Sequence, residues 1–284
     1  MPIDLEKAQG AALAPAEGVW TPDDVILYHL GIGAGLKAPT DPKELEYTYE
    51  KNLKVLPSFG VTPVFGAIAG MAQVPGIQIN FALVLHGEQE IVIHRPLPTH
   101  AEIESTGRIA GIYDKRKAAL IVVETETREK GGEPLFTNRF SIFARGEGGF
   151  GGEPGPKLRS VRPEREPDLV VASRTLPSQA LLYRLSGDKN PLHADPEFAK
   201  MGGFDTPILH GLCSYGIVCK AVVDHALDGA VEQVASYHAR FAGVVFPGET
   251  IETSMWREDG CVLVAARAVE RDAPVISNCA IVLR

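Results

Sequence analysis

The sequence predicts an α+β fold made of two related halves, each with an antiparallel sheet wrapped around a helix. Three observations predict this fold: a glycine- and proline-rich segment near the middle of the 284-residue chain, short stretches that recur on both sides of it, and an apolar helical pattern followed by strands. Because about 150 residues is a common domain size, we expect one half at residues 1–150 and the other at residues 151–284.

The recurring stretches indicate that one domain has been duplicated. Residues 21–31 and 176–186 share a proline, a Leu-Tyr pair and a leucine at matching positions. Residues 103–106 (IEST) are similar to residues 251–254 (IETS). We therefore expect each half to open with a helix, which strands follow.

Strands are predicted where β-branched and aromatic residues lie between turn residues. In the first half, residues 120–127 and 135–144 have this character, and Gly131-Gly132 supplies a turn between them. Residues 211–227 place apolar side chains at helical spacings, which predicts the helix that the second sheet wraps. After this helix an antiparallel meander is predicted over residues 251–256, 262–269 and 275–283.

Composition and charge exclude several functional classes. The net charge of −8 argues against nucleic-acid binding, and no apolar stretch approaches the roughly 20 residues that span a bilayer. The first residues lack the basic and apolar regions of a signal peptide and the last carry no peroxisomal address, so we expect a cytoplasmic protein that binds neither nucleic acid nor membrane. The four cysteines have no CxxC spacing, which favours buried thiols over a metal site.

The central segment contains a GxGxxG match at Gly146, Gly148 and Gly151. In a dinucleotide-binding fold this motif leads from a strand into a helix whose N-terminus receives the pyrophosphate. Here Pro154 and Pro156 follow and a helical period is lacking. We therefore interpret the segment as a linker between the halves.

One stretch of the second half carries the residues suited to chemistry. Pro191 and Pro196 disfavour helix for the residues before them, which predicts an ordered, non-helical loop over residues 188–195. Such a loop can hold the carboxylate of Asp188 and the imidazole of His193 on one small molecule, as acid–base catalysis requires. The alternative interpretation is an ordinary turn with a structural histidine.

The run YRLSGDKNPLH at residues 183–193, followed by FDTPILHGLC at residues 204–213, resembles the signature of the MaoC-like (R)-specific enoyl-CoA hydratases, also called hydratases 2. Further stretches are similar to the two-half members of that family, which include the hydratase part of the peroxisomal multifunctional enzyme. They are LPSFG (56–60), VLHGEQ (84–89), GGFGG (148–152), ARFA (239–242) and FPGET (246–250). The resemblance therefore covers nearly the whole chain.

The resemblance implies a double hot-dog fold, in which the N-terminal half accommodates the acyl chain and the C-terminal half is catalytic. It implies a hydro-lyase of fatty acid β-oxidation and related lipid metabolism, which adds water to a trans-2-enoyl-CoA to give the (3R)-3-hydroxyacyl-CoA without a cofactor or metal. By motif, Asp188 and His193 are the acid–base pair, Asn190 helps to order their loop, and the Gly211 amide is the oxyanion donor. Which member of the pair is base and which is acid stays open.

The resemblance also places substrate-binding residues near the CoA thioester, namely His86, Gly87, Lys115 and Phe241. The cations of Lys115-Arg116-Lys117 suit the phosphates of CoA, and the alternative for them is a solvated hairpin tip. For His86 the alternative is an ordered core or interface histidine. We expect His210 to contact the acid–base pair and support it without touching the substrate.

The size of the acyl group is predicted from residues 65–72, where glycines and small side chains take the place of the first half's central helix. They predict a short helix with room for a medium, long or bulky acyl group, including a steroid side chain; packing against a partner backbone explains them equally well. The resemblance implies a homodimer. The functional alternatives are a thioesterase or acyl-carrier-protein dehydratase of the same fold, or a non-catalytic acyl-CoA-binding subunit, which the presence of both Asp188 and His193 disfavours.

Overall fold

A ten-stranded antiparallel sheet forms the centre of the computed structural model, which describes residues 3–80, 84–156 and 160–284. The strands are β1 (Ala12–Trp20), β2 (Val84–Ile93), β3 (Ala101–Asp114), β4 (Ala118–Glu129), β5 (Pro134–Arg145), β6 (Leu169–Arg174), β7 (Val234–Phe241), β8 (Thr250–Glu258), β9 (Cys261–Ala268) and β10 (Ala273–Leu283). Across the sheet they lie in the order β1-β3-β4-β5-β2-β7-β10-β9-β8-β6.

This order consists of two copies of one topology, joined at the second strand of each copy. Outward from the junction, the first copy has the order β2, β5, β4, β3, β1, and the second copy has the matching order β7, β10, β9, β8, β6. The junction is the β2–β7 ladder, in which Glu88 pairs with Arg240 and Val92 with Ser236. The similar stretches IEST and IETS lie on the equivalent strands β3 and β8. The predicted doubled α+β fold is therefore confirmed.

Short helices and turns connect the strands, and one long helix is buried. The helices are α1 (Leu5–Ala8), α2 (Pro22–Gly31), α3 (Pro42–Thr48), α4 (Phe65–Ala69), α5 (Gln179–Tyr183), α6 (Pro196–Met201) and α7 (Gly211–Ala226). The helices α2 and α5, whose sequences are similar, occupy equivalent places after β1 and β6. A strand precedes each of them, which corrects the expectation that the strands of each half follow an opening helix. Within the described part of the chain, none of these helices has the length and apolar character needed to cross a bilayer.

The long helix α7 is the element around which the second half of the sheet curves. Its residues 212–223 are all buried, and it contacts strands β6 to β9. Its extent agrees with the helix predicted over residues 211–227. The equivalent helix of the first half, α4, has 5 residues against 16 in α7 and continues only as a 3₁₀ turn over Gly70–Gln73. The first half therefore contains much less central helix than the second.

The sequence pattern leaves five strands unpredicted, β1, β2, β3, β6 and β7, and two of these, β1 and β6, form the edges of the sheet. β1 contains Pro15 and Gly18, which weaken a strand pattern, and its pairing with β3 is interrupted between Leu13 and Ala16. Proline is tolerated at edges and bulges because it has no N–H to give to a ladder. The edge position explains why local propensity fails to identify β1.

His29 on α2 is fully buried and uses both ring nitrogens. Its Nδ1 lies 2.9 Å from the carbonyl oxygen of Tyr47, and its Nε2 accepts the N–H of Leu56 at 3.3 Å. These partners fit the neutral ring with its hydrogen on Nδ1. Burial lowers the pKa of His29 to about 4, because the charged ring would lose its solvation.

We expect the stability of the protein to fall as the pH drops from about 6.5 to about 4. The stabilisation is complete above 6.5; below it the unfolded chain binds a proton at His29 that the folded chain does not bind, so acid favours unfolding. His29→Asn keeps a donor for Tyr47 without the titrating ring. At neutral pH the melting temperature of this variant is expected to be lower than that of the unmodified protein. Between pH 6.5 and 4, however, it is expected to fall by roughly 5 °C less. Thermal melts of both proteins measure this, and parallel pH curves would contradict it.

Candidate active site

The loop that carries Asp188 is ordered by its own side chains. It begins after Gly187, whose φ of 125° is open to glycine but not to other residues. The Asp188 carboxylate accepts the N–H of Asn190 at 3.1 Å, and the Asn190 side chain accepts the N–H of Leu192 at 3.0 Å. Residues 191–193 form a short 3₁₀ turn, which corrects the prediction of a wholly non-helical loop. Proline at the first position of such a turn costs nothing, because its missing N–H has no partner there.

His193 is oriented by a hydrogen bond at one of its two ring nitrogens. Its Nδ1 lies 2.9 Å from the carbonyl oxygen of Ile208, so Nδ1 is the donor and Nε2 keeps its lone pair. The ring stacks on that of His210, with centroids 3.7 Å apart and planes at 30°. His193 is 8% exposed, whereas Asp188 is half-buried. The His193 ring therefore lies in a largely buried position next to the half-buried carboxylate of Asp188.

His210 contacts both Asp188 and His193, as expected of a residue that supports the pair. Its Nε2 lies 3.2 Å from the backbone carbonyl oxygen of Asp188, so Nε2 is the donor. Its Nδ1 is buried and has no hydrogen-bond partner among the described residues. Ligand-type atoms of Asp188, His193 and His210 lie within 4.8 Å of one another. The three side chains form one cluster.

Both imidazoles in this cluster are neutral at physiological pH. Burial lowers the pKa of His193, although the Ile208 carbonyl and the Asp188 charge act in the opposite direction. Burial, with the neighbouring His193 as the next cause, lowers the pKa of His210 to about 2. The cluster therefore offers a carboxylate and imidazole lone pairs as proton acceptors.

The donor types of the cluster are also those of a metal site, but its ring geometry is less suited to one. A tetrahedral metal needs ligand lone pairs that converge on one point. The rings of His193 and His210 face each other at 3.7 Å with planes 30° apart, so lone pairs that lie in these planes do not readily meet at one ion. A shared water molecule places weaker demands on direction and fits the arrangement better.

The helix α7 begins at this cluster, directly after His210. Gly211 is its first residue, and the first N–H groups of a helix have no acceptor within it. The dipole of a 16-residue helix adds positive potential at this end. A side chain at Gly211 would place Cβ 3.3 Å from the ring of Phe241. Gly211 thus places the first N–H of the helix beside a packed aromatic ring.

Phe241 connects this helix end to His86. The two rings meet edge to face with centroids 5.0 Å apart. His86 is half-buried, its buried Nε2 has no partner among the described residues, and burial lowers its pKa to about 4. The alternative of an ordered histidine therefore describes its surroundings.

A cavity of about 1030 Å³ adjoins His86 and Phe241. The substrate-binding residues predicted from the sequence all line it: His86, Gly87, Lys115 and Phe241. Asp188 and His193 do not line it; a smaller cavity of about 50 Å³ touches their loop at Asn190 and shares Leu85 with the larger one. The predicted residues therefore form two groups, which the contact of Gly211 with Phe241 connects.

Lys115 lies at the turn between β3 and β4, so both interpretations of the basic run apply to it. It follows Asp114 at a hairpin tip and it also lines the large cavity. A role for Asp114 was not foreseen from the sequence. The contact of His210 with Asp188 and His193 agrees with the supporting position expected for it.

Two family models match the chain, one in each half. The MFE-2 hydratase 2 N-terminal domain matches residues 19–146, and the MaoC like domain matches residues 159–278. Together they account for most of both halves of the sheet.

Relatives extend over nearly the full length of the chain. Enoyl-CoA hydratase ChsH3 of Mycobacterium tuberculosis is 49% identical over 97% of this chain and 97% of its own length. The peroxisomal enoyl-CoA hydratase 2 of Arabidopsis thaliana is 42% identical over 90% of this chain and 87% of its own. A solved structure, a MaoC-like dehydratase from Phytophthora capsici, has a TM-score of 0.89 and 32% identity and covers 99% of this chain and 98% of that chain.

Proposed function

Since the chain belongs to the two-half, MaoC-like family of enoyl-CoA hydratases 2, we propose that Asp188 and His193 are its acid–base pair and Gly211 its oxyanion donor. The protein is an enoyl-CoA hydratase with a double hot-dog fold, and its relatives imply an acyl-CoA substrate. The observation that carries the proposal is the cluster of Asp188, His193 and His210 at the start of α7.

The reaction follows from the polarity of the substrate. Conjugation with the thioester makes C3 of the enoyl group electrophilic, and negative charge develops on the carbonyl oxygen as water adds. Asp188 and the free Nε2 of His193 hold the water and remove one proton while its oxygen bonds to C3. The pair then returns a proton to C2, so no proton is gained or lost overall.

The Gly211 N–H stabilises the charge on the carbonyl oxygen during this addition. A backbone donor fixed at a helix start needs no reorganisation when the charge appears. The absence of a side chain lets the oxygen approach. In this mechanism the protein uses no metal or organic cofactor, and CoA enters only as part of the substrate.

We place the acyl chain in the first half of the molecule. The support is the difference between α4 and α7, since 5 central residues fill less space than 16. The product is expected to be the (3R)-3-hydroxyacyl-CoA of fatty acid or steroid side-chain degradation. The homodimer and the cytoplasmic location stay predictions; some relatives are named as peroxisomal proteins.

The purified chain is expected to prefer a long enoyl group to a short one. With each buried methylene contributing about 0.8 kcal/mol, partial burial of the extra carbons of trans-2-decenoyl-CoA predicts a kcat/KM at least about 10-fold above that of crotonyl-CoA. A steroid side-chain enoyl-CoA tests the upper size limit. Loss of the enoyl absorbance in buffer with EDTA measures the rate, and chiral analysis identifies the product.

The outcomes also separate the alternatives. A thioesterase would release free CoA thiol, and a non-catalytic subunit would leave the absorbance unchanged. An (S) product would contradict the family assignment. A preference for crotonyl-CoA would contradict only the proposed use of the first half, and loss of activity in EDTA only the metal-free mechanism.

A further inference from the structure

The Gly-rich segment, residues 146–156, binds a carboxylate of this chain with its backbone N–H groups. The N–H groups of Gly149 and Gly151 donate to the two oxygens of Asp114 at 2.9 and 2.8 Å. The N–H of Arg116 donates to the same side chain at 2.7 Å. These bonds, first those from Gly149 and Gly151, lower the pKa of Asp114. In glycine-rich loops that bind a nucleotide, such N–H groups hold a phosphate; in this loop they hold the carboxylate of Asp114.

The close fit between the segment and the β3–β4 hairpin explains the glycines. Gly149 and Gly151 have φ values of 82° and 84°, in the left-handed region that other residues avoid. At Gly148 a Cβ atom would lie 2.6 Å from the carbonyl of Arg116. The segment interpreted from the sequence as a linker between the halves is therefore also fitted closely to the hairpin.

This fit holds the tip of the hairpin from several sides. The N–H of Asp114 donates to the carbonyl oxygen of Glu153 at 2.8 Å, and the N–H of Gly146 donates to that of Lys117 at 2.9 Å. The ammonium group of Lys115 donates to the carbonyl oxygen of Pro154. At the tip, Arg116 has a φ of 66°, a conformation that its bond to Asp114 helps to maintain.

The hairpin tip forms part of the wall of the large cavity. Tyr113 and Lys115 line it together with His86 and Phe241, which lead to the start of α7. Three cations follow one another at the tip, in a chain of net charge −8. The lining also contains carboxylates, including Glu88 and Glu124. A phosphate can approach this wall favourably only where the cations are held in place.

We propose that Asp114 is a positioning residue that fixes Lys115 at the cavity wall for the phosphates of the CoA substrate. The inference rests on the proposed function, since it assigns one end of the substrate to this cavity. Asp114 does not contact the substrate in this scheme. It acts as an internal anion that orders the Gly-rich segment. The ordered segment in turn holds the ammonium group of Lys115 at the cavity wall.

Two substrates with the same reacting group separate this role from a general structural one. Enoyl-CoA carries the phosphates, whereas the enoyl thioester of N-acetylcysteamine lacks them. Asp114→Asn and Lys115→Ala are each expected to raise KM for decenoyl-CoA about 10-fold, with kcat within about 2-fold, and to leave kcat/KM for the truncated substrate unchanged. The double variant is expected to lose little more than either single variant, because both changes remove one interaction.

Asp41→Asn is the matched control. Asp41 also accepts a backbone N–H, that of Lys43 at 2.8 Å, but it lies at the start of α3 and does not line the cavity. It is expected to change neither KM. Melting temperatures show whether the Asp114 variant folds, and Gly149→Ala, which strains the same contact, provides a second test.

Equal losses on both substrates, or unchanged kinetics for decenoyl-CoA in the folded Asp114 and Gly149 variants, would overturn the positioning role. Additive losses in the double variant would do so as well. Failure of the proposed function would give a different result, since the unmodified chain would then hydrate neither thioester.

Discussion

Replacing Asp188 with Asn, or His193 with Gln, is expected to lower kcat for enoyl-CoA hydration by about 10²- to 10⁴-fold, the range for positioned acid–base groups. Each change keeps a polar side chain of similar size while it removes a proton acceptor. Asp188 is half-buried and its bond to the Asn190 N–H can be kept by an amide oxygen, so the fold is expected to stay intact. Steady-state rates with decenoyl-CoA, together with melting temperatures, measure both effects.

The pH profile gives an independent readout of the same pair. Because burial lowers the pKa of His193, the ring stays neutral below its ordinary value of 6.5, and activity is expected to persist there. As the pH falls further, through the lowered pKa, protonation of Nε2 removes the acceptor and kcat/KM declines. His193→Gln is expected to lack this limb in its residual activity.

The control for His193 is His225→Gln, at the exposed far end of α7. This variant carries the same His-to-Gln change at a residue that does not contact the cluster of Asp188, His193 and His210. It is expected to leave kcat unchanged. Near-normal turnover in both the Asp188 and His193 variants would remove the mechanism. A large loss in the His225 variant would assign the effect to α7 as a whole.

The sequence is most informative where one short stretch determines one structure. The helix α7 and the meander β8 to β10 are predicted because their apolar periods and turns are local. The β2–β7 ladder is not, since it pairs residues of different halves and depends on the complete sheet. The edge strand β1 is missed because its proline and glycine are compatible with a strand only at an edge.

The same distinction applies to the candidate site. Asp188 and His193 are predicted together because they lie only five positions apart in the chain and Pro191 restricts the loop between them. Contacts between distant segments cannot be read in this way, such as the stacking of His210 on His193 or the capture of Asp114 by the Gly-rich segment. In that segment the composition alone favoured a linker, and only the partner 35 residues away shows why glycines are needed.

Replacing Gly211 with Pro is expected to lower kcat by about 10²- to 10³-fold, the usual loss for one oxyanion donor. The substitution removes the N–H that we assign as the oxyanion donor, and the helix α7 is still expected to begin at this residue. Proline is well tolerated as the first residue of a helix. The preceding His210 has φ −58° and ψ 135°, the extended conformation that a residue before proline prefers.

Gly211→Ala separates the lost N–H from crowding. Alanine also adds a Cβ atom 3.3 Å from the ring of Phe241, but it keeps the N–H. It is expected to retain kcat within about 10-fold, since the oxyanion donor is intact and only the approach of the carbonyl is hindered. Rates of both variants with decenoyl-CoA, at matched melting temperatures, test the assignment. An equal loss in the two variants would mean that the space left by glycine beside Phe241, and not a hydrogen bond from the helix start, is what the reaction requires at this position.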